Sequence, residues 1–118
     1  MFKKNGLDLQ ERMIDFAVRI IKVAGALPNN KIGNHVKSQI LRSGTSPAPN
    51  YGEAQSAESR SDFIHKLKIS LKELRETYVW LQIIIRSELI RPVERIKPLL
   101  IENDQLIAIL FRSIETAK

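Results

Sequence analysis

The chain contains no cysteine, which excludes disulfides and thiolate metal ligands and fits a reducing, cytoplasmic location. Histidine is nearly as scarce. His35 and His65 stand far apart, and no Glu-x-x-His occurs, so the ligand spacing of a di-iron bundle is missing and neither a metal nor another cofactor is expected. Aromatic residues make up 6%, few for a row of base-stacking platforms. Gly and Pro number five each in 118 residues, which excludes a low-complexity chain. No apolar run approaches the roughly 20 residues needed to span a bilayer. No signal-like apolar core follows Met1-Phe2-Lys3-Lys4-Asn5, and no membrane role is expected. There is no strand to lead into a phosphate loop, and nothing brings a histidine beside a particular serine. The expected protein is not an enzyme.

What is present is helix. Hydrophobic residues are 43% and charged residues 27%, the balance of a globular protein, and the length suits one domain spanning 1–118. Leu9, Met13, Phe16, Ile20, Val23 and Leu27 alternate steps of four and three, the seam of a bundle helix. Ile14, Ala17, Ile21 and Ala24 widen that seam. Asp8 and Glu11 form a capping-box pattern, so the first helix is expected from about Asp8 to Leu27. Pro28-Asn29-Asn30 ends it.

The second helix starts near Lys31 and carries Ile32, Val36 and Ile40 on one face. From Ser43 to Ala48 every residue is small or proline, which lets a neighbouring backbone come close. Pro47 and Pro49 lack amide donors and disfavour helix in the residue before each. The segment reads either as one helix kinked there and running to about Ala57, or as a helix broken at Ser46; helical spacing resuming at Tyr51 and Ala54 favours the kink. Ser59 or Ser61 caps the third helix, whose seam is Ile64, Leu67, Leu71, Leu74, Tyr78, Leu81 and Ile85. Pro92 marks a turn. The last helix starts at Pro98 and buries Leu99, Leu106, Leu110 and Ile114, with Asn103 beside the seam and in need of a partner. Four helices joined by short links give an all-α, antiparallel up-down-up-down four-helix bundle, its second helix kinked by Pro47 and Pro49.

Three groups of residues stand out from that frame. Asn50, Glu53, Lys66, Glu73 and Thr77 form a structural polar network, with Lys66 answering the carboxylates, Asn50 tying the proline bend to the third helix, and Lys66 or Asn50 the expected partner of Glu73. Ile69, Trp80 and Ile83 project from the far side of the third helix, which points to a second subunit covering them. The formal net charge is +6. His65, Lys68, Lys72, Arg75 and Arg86 share a narrow band of the third helix; Arg60 precedes it, and Lys37 with Arg42 would extend it from the second. Such a band is the footprint expected for phosphate contacts, RNA or DNA, and it carries no base-reading code. The alternative is a protein–protein scaffold whose charge is incidental.

The stretches Arg42-Ser43-Gly44-Thr45-Ser46, Asn50-Tyr51-Gly52-Glu53-Ala54, Ser59-Arg60-Ser61-Asp62-Phe63-Ile64-His65-Lys66 and Lys72-Glu73-Leu74-Arg75-Glu76-Thr77, with Trp80-Leu81, resemble the bacterial intervening-sequence proteins. That four-helix bundle family is named for reading frames inserted in large-subunit ribosomal RNA genes. Pro49 departs from the alanine more usual in the family. The family is similar in turn to the accessory variability proteins of diversity-generating retroelements, pentameric barrels that bind nucleic acid and a reverse transcriptase. The resemblance implies a homopentamer with a basic surface, and as partners RNA or DNA together with a reverse transcriptase or another protein. It implies no established activity.

Overall fold

The computed structural model describes the backbone of residues 2–118 and the side chains of residues 8–118. Helix α1 spans Phe2–Ala26, α2 Lys31–Thr45, α3 Pro47–Gln55, α4 Arg60–Ser87 and α5 Lys97–Ala117, with a 3₁₀ turn at Val93–Arg95 before α5. The end-to-end pair α2 and α3 makes one arm of a four-helix bundle. Helix α4 packs on α2, α3 and α5, while α1 closes the far side against α2 and α3 and touches α5 less extensively. At 28 residues α4 is the longest helix; at about 1.5 Å per residue it runs nearly the whole length of the molecule, whose long axis is 44 Å.

Local chemistry sets the helix ends. Asn30 accepts from the Gly33 amide at 2.8 Å to start α2. A β-carbon on Gly33 would lie 1.9 Å from the Pro28 carbonyl oxygen, so this tight entry requires glycine. Ser59, not Ser61, caps α4, accepting from the Asp62 amide at 3.1 Å. Helix α4 stops where Glu88 turns left-handed (φ 54°) and the Glu88 and Leu89 amides close on Ile85 and Ile84. Helix α1 begins ahead of Asp8, which is a mid-helix residue and caps nothing. No proline interrupts the residues before it, so a favourable capping sequence was not an actual boundary.

The α2–α3 junction is a kink. Ser46 keeps right-handed helical backbone angles (φ −72°, ψ −35°), so the chain bends without leaving the helical region. Pro47 and Pro49 cannot donate to the preceding turn. Asn50 holds the bend from below, its side-chain amide donating to the Ser46 carbonyl and hydroxyl at 3.0 Å each. Small residues then do what their size allows. Gly44 sits against Ile20 of α1, and buried Ser43 meets the Thr77 hydroxyl of α4 at 2.9 Å. From α4, buried Ser70 donates to the Pro47 carbonyl at 3.0 Å.

The core follows the seams. Met13, Phe16 and Ile20 of α1, Ile40 of α2, Leu67, Leu74, Leu81 and Ile84 of α4, and Leu106 and Leu110 of α5 are all buried. Each such Leu or Ile contributes roughly 1.5–3 kcal/mol relative to an exposed position. Asn103 is buried among them and donates to the Leu74 carbonyl at 3.3 Å, while its own oxygen has no partner among the described residues. Three expected core positions lie outside. Ile14 and Ile21 on α1 and Ile32 on α2 are exposed, because the buried stripe of each helix is narrower than its apolar one.

Candidate nucleic-acid interface

Helix α4 carries a row of positive charge on its surface. Steps of four and three place Lys68, Lys72 and Arg75 on its outward face. All three are exposed, and none forms an ion pair among the described residues. Arg86 continues the same face and donates to Gln82 at 3.4 Å. His65 is exposed one turn before Lys68, and Arg60 is exposed at the start of the helix. Val79 and Ile83 interrupt the row as exposed apolar side chains.

Of the two cations expected from α2, Arg42 is held by carboxylates, whereas Lys37 forms no ion pair among the described residues. Lys37 is half-buried. Arg42 donates to Glu73 at 3.0 Å and to Glu76, in a short contact. Glu76 is the hub of that group. The Trp80 indole donates to it at 3.0 Å, and this bond, followed by Arg42 and then Lys72 at longer range, holds its carboxyl below the usual range. The Glu76 carboxylate in turn holds Arg42 more firmly charged. Because the Glu76 pKa is depressed on folding, its stabilising effect is present above the ordinary carboxylate pKa and fades as the pH falls through the lower folded value.

The polar network is wired in part as expected, with Lys66 on a carboxylate and Glu73 on a different cation. Glu73 pairs with Arg42 across α2 and α4, not with Lys66 or Asn50. Lys66 bridges Glu53 at 2.7 Å between α4 and α3, and that bond raises the lysine pKa. Asn50 turns back onto Ser46, and Thr77 donates to the Glu73 carbonyl at 2.8 Å while facing Ser43. Ser43 and Arg42 were missing from the expected set. Their signal was the small-residue run of α2, which brings that helix close enough to α4 for both contacts.

The proposed interface residues also separate. Ile69 and Trp80 are half-buried within the chain, and Trp80 stands edge-on to His35 of α2 at 6.0 Å. Ile83 is exposed. A longer apolar stripe lies on α1, where Ile14, Val18 and Ile21 are exposed at helical spacing. Among the described residues no group of His, Asp or Glu is placed to hold a metal ion, and no helix is long and apolar enough to cross a membrane.

The chain is similar to known proteins over most of its length. The family model for 23S rRNA-intervening sequence proteins matches residues 5–112. A solved structure from Bacteroides thetaiotaomicron, of a protein with unknown function from the S23 ribosomal protein family, has 39% sequence identity and a TM-score of 0.83; the match covers 90% of this chain and 97% of that one. No curated protein matches.

Proposed function

The chain belongs to the family of 23S rRNA-intervening sequence proteins, and from that premise and the outward face of α4 we propose a non-enzymatic, homo-oligomeric bundle that binds nucleic acid through its phosphates. The observation that carries the reading is the row Lys68, Lys72 and Arg75, exposed and unpaired on one rigid helix. Three point charges in a row attract phosphates without reading bases. A homo-oligomer repeats the row around a symmetry axis, so individually weak contacts add through avidity. The exposed apolar stripe of α1 supports such an assembly, since a second copy would remove it from water. A pentamer, and a protein partner such as a reverse transcriptase, are what a resemblance to the accessory variability proteins of retroelements would imply.

Val79 and Ile83 favour a second reading, that of a protein–protein scaffold. They break the cationic row with apolar surface, as a protein partner would require. Binding to labelled RNA and DNA oligonucleotides at low salt separates the two. The nucleic-acid reading expects affinity that is indifferent to sequence and falls steeply between about 50 and 200 mM salt. Absence of binding at low salt would favour the scaffold.

A further inference from the structure

We propose that the groove between α4 and α5 takes a single strand, with one base stacked on Phe111 and its neighbouring phosphates on Lys68, Lys72 and Arg75. The inference rests on the nucleic-acid reading above and narrows it to a ligand form. The groove has a volume of about 360 Å³, and both helices line it. From α4 come the three unpaired cations; from α5 come Phe111, Ile114 and Lys118. Phe111 is 48% exposed, whereas Phe16 is 1% exposed. Of the described Phe, Tyr and Trp side chains it is the most exposed.

The floor beneath is apolar, since Leu71 and Ile114 line the groove and are themselves buried. An aromatic ring on an apolar floor beside a row of cations has the two elements of a single-strand site. The charges follow the backbone, and the ring offers a π-face to any base. The cations are spaced by about 6 and 4.5 Å along the helix axis, so a strand running with the groove meets them in succession. Glu115 also lines the groove, and Lys118 pairs with it at 2.9 Å, which offsets its repulsion of a phosphate. A duplex keeps its base faces inside the stack and offers nothing to Phe111, so the ring discriminates between the two forms.

The test uses the full chain, a labelled oligothymidine, and a DNA duplex of the same length, read by fluorescence anisotropy at low salt. Phe111→Ala should weaken single-strand binding by about ten-fold, as loss of one stacked base does, with the salt slope and duplex affinity unchanged. Phe111→Trp should retain affinity, and its added indole emission should be quenched by the oligothymidine, whereas the wild-type emission from Trp80 should not. Equal single-strand affinity of wild type and Phe111→Ala overturns the proposal, as does an equal loss on both ligands. A change of oligomeric state in Phe111→Ala would assign the ring to a subunit contact and overturn it too. If both ligands bind through the cations and Phe111 has no effect, the broader nucleic-acid reading stands without this site. If neither ligand binds wild type at low salt, both fall.

Discussion

Thr77 and Ser43 show how closely α4 and α2 are matched. Both are fully buried, and their hydroxyls meet at 2.9 Å in the place of an apolar contact. Thr77→Val keeps the shape and removes the hydroxyl, leaving Ser43 without its partner in a dry contact. The expected cost is about 1–3 kcal/mol, measured by urea or thermal unfolding. Adding Ser43→Ala should recover much of it, because then neither hydroxyl is stranded. A neutral Thr77→Val would mean that water reaches the pair. Glu73 is the contrasting residue. Lys66, Glu73 and Thr77 were legible in the sequence as polar residues beside the seams, but the partners of Glu73 and Thr77 were not. Which cation answers Glu73 depends on how α2 is rotated against α4, and helical periodicity within one helix does not contain that angle. Arg42 is exposed, so the Glu73 pair is screened by solvent and matters less for stability than the buried hydroxyls.

At the scale of the element, the kinked arm of α2 and α3 sets the spacing of the bundle. The double proline announced the bend in the sequence, and the small run before it announced close packing. Gly44 is where that packing is tightest: a β-carbon there would lie 2.7 Å from Cγ2 and 2.8 Å from Cγ1 of Ile20. Ile20 is fully buried and β-branched, so it has little room to yield. Gly44→Ala gains up to about 1 kcal/mol of helix propensity but overpacks at a cost of about 1–3 kcal/mol. A net destabilisation of about 1–2 kcal/mol is expected in thermal unfolding. In an Ile20→Ala background the same change should be neutral or stabilising, because the clash has gone; a loss of equal size there would contradict the packing account. The seams of α4 and α5 could be read in advance because leucines recur at steps of three and four. The width of the buried stripe could not. Ile14, Ile21 and Ile32 are apolar and helical in spacing, yet the packed helices leave them exposed.

Those uncovered residues shape the behaviour of the whole molecule. Ile14, Val18 and Ile21 form a stripe along α1, and Ile83 lies exposed on α4, so a bundle whose core is complete still leaves apolar surface in water. The homo-oligomer reading predicts that Val18→Asp, and separately Ile83→Asp, shifts the light-scattering mass toward the monomer by placing a charge in an apolar contact. A wild-type protein that is already monomeric at micromolar concentration would contradict it. Sequence patterning pointed to Ile69 and Trp80 for this role, but both are half-covered by their own chain, Trp80 through its bond to Glu76 and its contact with His35. Binding is the other whole-molecule property, and it depends on charge that the fold leaves unpaired. Arg42 and Lys66 are held by carboxylates, whereas Lys68, Lys72 and Arg75 form no ion pair among the described residues. The salt dependence of binding when those three are replaced together by Gln is therefore the most direct test. Anisotropy of a labelled oligonucleotide, measured across a series of salt concentrations, should give a log–log slope shallower by about 2 or more, as loss of three phosphate contacts requires. The oligomeric state and melting temperature should stay unchanged. A variant that binds with the affinity and salt slope of the wild type would contradict the assignment of this face to nucleic acid.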